Sequence, residues 1–145
     1  MISETDAAYI AGLFDGEGSI QYKQYDRQRK NNKKPYPTWS IRIAMTDKSV
    51  LMWMHDLLGC GTVNEKRYKT PYTVGWKKQW RWRCQCRDAY YVCLLIQPYA
   101  HVKIESINKI IKHYSYIPKD KLKAKVIDIA NYKIERKINE KNFNI

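Results

Sequence analysis

The stretch Ile10-Ala11-Gly12-Leu13-Phe14-Asp15-Gly16-Glu17-Gly18 decides how the rest of the chain is read. The residues around it predict a helix over Thr5–Gly16. Ser3 followed by Asp6 has the form of an N-terminal cap with an acid in the first turn, and Tyr9, Ile10, Leu13 and Phe14 supply the apolar positions. Gly18 ends the helix. Asp15 and Glu17 then fall at its C-terminus, where the macrodipole already places negative charge, an unfavourable position by ~0.3–1 kcal/mol for each acid. Unpaired backbone carbonyls gather at the same end. Carboxylates beside carbonyls make a hard-oxygen site of the kind that holds Mg²⁺ or Ca²⁺; the plainer alternative is an exposed helix end with incidental acids. Gly16 and Gly18 let the chain turn sharply and let a ligand approach the backbone. Ala8, Gly12 and Gly16 recur every four residues on one face, and small residues at that spacing let a second helix come close, from within the chain or from another copy.

Downstream, the period changes from helical to alternating. Ser19–Tyr25 places Ile20 and Tyr22 on one side and Gln21, Lys23 and Tyr25 on the other. A basic, proline-punctuated loop, Asp26–Pro37, follows. Thr38–Thr46 alternates again, with Trp39, Ile41, Ile43 and Met45 inward and Ser40, Arg42 and Ala44 outward. Thr46 or Asp47 caps a helix carrying Val50, Leu51, Met54, Leu57 and Leu58, closed by Gly59. Gly61–Arg67 reads as a third strand with Thr62, Asn64 and Lys66 on one side, and a second basic loop carries Lys69, Pro71, Gly75, Lys77 and Lys78. Trp80–Cys86 is the fourth strand, with Trp80, Trp82, Cys84 and Cys86 inward and Arg81, Arg83 and Gln85 outward; a one-residue slip would exchange the two sets. Burial of the tryptophans favours this register. Helices are expected at Asp88–Ile96, at about 102–116 and at about 119–138. The order is α-β-β-α-β-β-α with extra C-terminal helices, one domain of 145 residues with a helical extension over about 119–145.

Charge narrows the function. The chain has 27 Lys and Arg against 14 Asp and Glu, a formal net charge of +13. Residues 1–18 hold four acids and no base; residues 19–87 hold sixteen bases against four acids, so nearly the whole surplus lies on the strands and their loops. Such a surplus disfavours a plain small-molecule enzyme and favours a polyanionic partner, nucleic acid or an anionic membrane surface. No apolar run approaches the ~18 residues of a spanning helix; the longest, Ala89 to Ile96, has eight. The acidic start predicts no signal or transit peptide and a protein made and kept inside a cell or organelle. Each strand offers one apolar face and one face of long hydrogen-bonding side chains. A sheet of that kind can lie in the DNA major groove, where base edges present distinct donor and acceptor patterns, while loop lysines meet phosphates.

The four cysteines, Cys60, Cys84, Cys86 and Cys93, match no zinc spacing and read as small buried hydrophobes in a reducing compartment. His55, His101 and His113 lie too far apart in sequence to suggest a histidine metal site.

The segment IAGLFDGEG resembles the LAGLIDADG motif of homing endonucleases, matching at Ala11, Gly12, Leu13, Asp15 and Gly18. The string Thr46-Asp47-Lys48-Ser49 falls where that family's second strand enters its second helix. Gln97-Pro98-Tyr99 followed by Lys103 is similar to its late glutamine-proline-tyrosine element and lysine. The resemblance spans about residues 5–115. It implies an α+β fold, the α-β-β-α-β-β-α homing endonuclease-like unit, with an antiparallel DNA-binding sheet, helices on one face and further C-terminal helices. One motif per chain resembles the homodimeric branch, in which Ala8, Gly12 and Gly16 would form the dimer contact.

The resemblance also implies roles. Glu17 aligns with the metal-binding acid, with help from the Gly16 carbonyl, and the metal would be Mg²⁺, with Mn²⁺ or Ca²⁺ able to take its place. Asp47 stands where the family often has a polar residue that positions water; an acid there could act as a base or support the water indirectly. Lys103 matches the lysine that balances charge near the phosphate. An arginine found one turn into the second helix in some members is replaced by Leu51. Base-reading candidates are Gln21, Lys23, Tyr25, Ser40 and Arg42 on the first two strands, and Asn64, Lys66, Arg81 and Arg83 on the last two. Arg27, Arg29, Lys33, Lys34, Lys69, Lys77 and Lys78 are loop contacts to phosphates. The expected activity is site-specific, metal-dependent cleavage of both strands of a long pseudo-palindromic duplex by an intron-encoded homodimer, in an organelle or in bacterial or phage cytoplasm. The alternatives are an RNA maturase that assists splicing and a cleavage-inactive DNA-binding regulator.

Overall fold

In the computed structural model, which describes residues 2–26, 35–67 and 75–115, the first helix, α1 (Glu4–Glu17), begins at a reciprocal cap. The Asp6 amide donates to the Ser3 hydroxyl oxygen, and that hydroxyl donates to the Asp6 carboxylate at 2.7 Å. The helix runs through Glu17, one residue past the predicted end, and passes directly into strand β1 (Gly18–Asp26). Gly18 makes this possible: a Cβ there would stand 2.3 Å from both the Phe14 ring and the Phe14 carbonyl oxygen. Any larger residue would push the strand away from the helix end and move Glu17 with it.

Strand β2 (Pro35–Met45) starts three residues earlier than its alternation suggested. Pro35 and Pro37 pair only with β1, because the other neighbour, β4 (Trp80–Gln85), reaches no further along β2 than Ser40. A residue without an N–H is tolerated where one side of the strand is free. Asp47 caps α2 (Lys48–Leu58), and Gly59, in the left-handed conformation at φ 62°, closes it. Strand β3 (Thr62–Glu65) is shorter than the predicted Gly61–Arg67. The fourth strand ends at Gln85, so Cys86 leaves the strand and opens α3 (Cys86–Ile96) instead of sharing a face with Cys84. With no loop between strand and helix, the reversal falls on Cys86, whose φ of 57° is rare for a side-chain-bearing residue. The last described helix, α4 (Ile104–Tyr114), lies within the predicted 102–116. The predicted helix at 119–138 lies outside the described residues.

The sheet has the order β1-β2-β4-β3 with every neighbouring pair antiparallel. One face is apolar: Ile41, Ile43, Trp82 and Cys84 are buried against Ile10 and Phe14 of α1, Leu51 and Met54 of α2, and Val92 and Ile96 of α3. α4 adds Ile107 and Ile110 to the same core. Trp82, 1% exposed, donates its indole N–H to the Cys60 carbonyl at 3.1 Å. That burial fixes the parity of β4 and turns Arg81 and Arg83 to the opposite face. Cys84 and Cys93 are buried, as expected of small hydrophobes, whereas Cys60 and Cys86 are only half-buried; all four are free thiols. Burial pushes the Cys93 thiol up to about 12, and a hydrogen bond with Cys60 plus burial raises Cys84 well above its ordinary value. Among the described residues no helix is long and apolar enough to cross a membrane.

Candidate nucleic-acid interface and catalytic centre

The two acids at the end of α1 have different fates. Asp15 turns inward and ties the helix to the turn before α4. Its carboxylate accepts the His101 amide at 2.7 Å and the Lys103 amide at 3.0 Å. Partial burial would raise its pKa, but the amides of His101, Lys103 and Val102 and the charge of Lys103 outweigh that and hold it below the ordinary 3.8. The Lys103 ammonium donates to the Asp15 backbone carbonyl and lies 5.9 Å from the centre of the Phe14 ring. α1 has no base in its own last turn. Lys103, delivered from another element, therefore supplies the positive charge that the negative end of the helix dipole requires.

Asp15→Ala removes an acceptor for two backbone amides and is expected to cost about 1 kcal/mol, as for the loss of a helix cap. Because the folded-state pKa is depressed, this contribution is present at neutral pH and is lost as pH falls through and below 3.8. Thermal melts should therefore separate the variant from wild type by a few degrees at pH 7, with the gap narrowing as pH falls below 3.8.

Glu17 follows the opposite course. It is exposed, and among the described residues nothing pairs with it. In the last turn of α1 the Phe14 carbonyl accepts the Gly18 amide and the Asp15 carbonyl accepts the Lys103 ammonium, and the Gly16 carbonyl is the next one beside Glu17. No cluster of three or more His, Cys, Asp or Glu side chains occurs among the described residues. A single chain therefore supplies one carboxylate and neighbouring carbonyls, not a closed cage. Hard oxygen donors of this type suit Mg²⁺, which keeps several waters and is commonly held by one or two carboxylates together with substrate phosphates. The donor set fits such an ion only in a site completed by oxygens from outside the chain.

Asp47 is the N-cap of α2, the capping role that its position before the helix implied. Its carboxylate accepts the Ser49 amide at 2.9 Å, the Val50 amide at 3.3 Å and the Ser49 hydroxyl at 2.5 Å. The Ser49 hydroxyl, then the Val50 amide, hold its pKa low. A carboxylate so engaged is a helix cap and a poor proton acceptor at neutral pH. Leu51, where some relatives carry an arginine, is wholly buried.

Among the described residues, nothing covers the α1 face opposite the core at Gly12 and Gly16. Ala7, Ile10, Ala11 and Phe14 point into the core. Ala8 is half-buried, and Gly12 and Gly16 are exposed with nothing within 4 Å of where a Cβ would stand. Tyr9, 53% exposed, borders this face and meets Trp53 of α2 edge-on at 5.5 Å between ring centres. Both rings line an open groove of about 620 Å³.

The polar face of the sheet carries Ser19, Gln21 and Lys23 on β1, Thr38, Ser40 and Arg42 on β2, Arg81, Arg83 and Gln85 on β4, and Thr62 and Asn64 on β3. Among the described residues no Asp or Glu holds a position on that parity. Ser40, 2% exposed, is buried between Gln21 and Gln85 and is not an available contact, a correction to its sequence assignment. Lys66 is turned aside, its ammonium donating to the Gln79 side-chain oxygen at 3.1 Å. Lys78 pairs with Glu65 at 3.1 Å, while Lys77 is exposed. Arg27, Arg29, Lys33, Lys34 and Lys69 lie outside the described residues, as does the side chain of Tyr25. Two groupings were not foreseen from sequence, the Asp15 clamp on the turn before α4 and the Tyr9–Trp53 pair. Neither left a local signal: Tyr9 and Trp53 lie on different helices, and residues 15 and 103 are 88 positions apart.

Comparison with known proteins places this geometry in a family. Residues 4–117 match the model of the LAGLIDADG-like domain. Among solved structures, the homing endonuclease I-CvuI in complex with a DNA target is 19% identical with a TM-score of 0.64, over 88% of this chain and 76% of that one. The archaeal intron-encoded homing endonuclease I-Vdi141I, complexed with DNA, is 16% identical with a TM-score of 0.60, over 77% and 68%. The homing endonuclease I-TnaI is 18% identical with a TM-score of 0.57, over 92% and 96%. From the α-β-β-α-β-β-α order, the motif helix that carries Glu17 and the match over residues 4–117, the chain belongs to the LAGLIDADG-like domain family and has the fold of its homing endonucleases.

Proposed function

We propose that the protein is a divalent-metal-dependent DNA endonuclease that works as a homodimer and cuts both strands of a long, pseudo-palindromic site, as the product of a mobile intron. The observation that carries this reading is the placement of Glu17. It is an exposed carboxylate at the junction of α1 and β1, between an uncovered small-residue helix face and a sheet face with bases and no acids. A protein that only binds DNA gains nothing from an unpaired acid beside phosphates. The neighbouring structures solved with DNA in the presence of Mg or Ca support a DNA substrate and a hard cation.

In this reading two copies pack α1 against α1 through Ala8, Gly12 and Gly16, which sets one Glu17 against each strand. Glu17 and the Gly16 carbonyl would hold Mg²⁺, which would supply charge neutralisation at the scissile phosphate and a more acidic water. Lys103 fixes the end of α1 and adds positive charge near the reacting phosphate. The sheet enters the major groove and reads bases, and Lys77 contacts the backbone.

The sequence flanking the gene gives the test. If an intron interrupts a host gene there, the joined exons are the target, and the purified protein with Mg²⁺ should linearise a plasmid carrying them while leaving the intron-containing allele intact. A plasmid left supercoiled under those conditions would refute the proposal.

A further inference from the structure

The register of the sheet orders its polar side chains into rows, and the rows differ in chemistry. Just inside the Gly18–Ile43 pair, where β1 leaves α1, lies the row Ala44, Arg81, Asn64. One step outward is Ser19, Arg42, Arg83, Thr62, and the next is Gln21, Ser40, Gln85. Residues two apart on a strand are about 6.6–6.8 Å apart, which matches two base-pair steps of about 3.4 Å. Order along the strands therefore maps to order along a half-site, starting at the cut.

The three arginines form one group. Arg42 stands opposite Arg83 and diagonally from Arg81. Burial, then the charges of Arg81 and Arg83, disfavour the ionised form of Arg42. The Nε atoms of Arg42 and Arg83 are buried without a hydrogen-bond partner. Arg83 is held by the Gln85 side-chain oxygen at 3.2 Å, and no acid of the same face neutralises the group. Three like charges gathered this closely, on a described face that offers them no carboxylate, favour acceptors from outside the protein. A guanidinium fork finds two on one base edge, guanine O6 and N7, and glutamine finds its match in adenine N6 and N7.

Resting on the endonuclease reading, we infer that each half-site carries guanines at the positions nearest the cut, read by Arg81, Arg42 and Arg83, followed outward by an adenine facing Gln21. With no acid on the face to accept from cytosine N4, G·C pairs are read from the purine side. Gln85 acts as a positioning residue that orients Arg83.

Selection from a randomised duplex library in EDTA, which separates binding from cutting, tests this. Wild type should enrich guanine at the inner positions of both half-sites. Arg42→Gln should shift one of them from guanine towards adenine, with each arginine responsible for roughly 5- to 150-fold discrimination. A gained preference cannot come from an unfolded variant, and Arg81→Gln gives an independent second position. Selection of a duplex motif with no guanine near its centre would overturn the base assignment and leave the endonuclease reading standing. A uniform loss of affinity in Arg42→Gln, with the salt slope reduced by about one and the motif unchanged, would make Arg42 a phosphate contact and also overturn it. Failure to select any duplex would remove the endonuclease reading itself.

Discussion

Glu17→Gln is expected to abolish strand cleavage while leaving the fold and duplex binding in place. The side chain is exposed and unpaired among the described residues, so an isosteric amide disturbs no packing. What the amide cannot do is hold a hard cation with a full negative charge. A metal ion at a reacting phosphate contributes several kcal/mol of transition-state stabilisation, so the cutting rate should fall by about a thousandfold or more. Affinity measured in EDTA should be unchanged or slightly higher, because a carboxylate beside phosphates repels them. Cleavage at the wild-type rate, followed on a plasmid substrate, would remove Glu17 from the reaction.

Gly12→Arg should separate assembly from folding. The site on α1 is open, with nothing within 4 Å of a Cβ, and arginine is a better helix former than glycine by up to about 1 kcal/mol. The isolated protomer should therefore keep its circular dichroism spectrum. In a symmetric α1–α1 contact each substitution occurs twice, and two buried, unpaired charges at about 3 kcal/mol each would raise the dimer dissociation constant by about 10⁴-fold. Sedimentation should show single chains, and double-strand cleavage should disappear. A variant that still sediments as wild type would place the contact elsewhere.

The outline of the fold was legible because alternation and helical spacing are imposed by a single buried face. Trp82 and Arg83 show this most directly: the cost of exposing an indole and burying a guanidinium is enough to choose between two registers one residue apart. Pro35 and Pro37 misled on the start of β2, since a proline's tolerance depends on whether a neighbouring strand reaches it, which no local pattern contains. Cys86 misled for a related reason. It continues the alternation of β4, yet the chain turns there into α3. At the site, the exposed position of Glu17 at the end of α1 was legible from its motif, whereas the cap made by Asp47 competes with the catalytic role its position implied. Its hydrogen bonds to Ser49 and Val50 are local, and capping was also foreseen from sequence. The Asp15 clamp joins residues 86 and 88 positions apart and was beyond local reading, as was the burial of Ser40 between longer neighbours.

One carboxylate per subunit, each serving one strand, is the central claim, and subunit mixing tests it most directly. Wild-type and Glu17→Gln chains carrying different tags can be mixed, allowed to exchange, and purified as heterodimers for reaction with a supercoiled plasmid bearing the target in Mg²⁺. The account predicts nicked circles as the main product, one strand cut and the other intact. Linear plasmid formed by the heterodimer as fast as by wild type would contradict it.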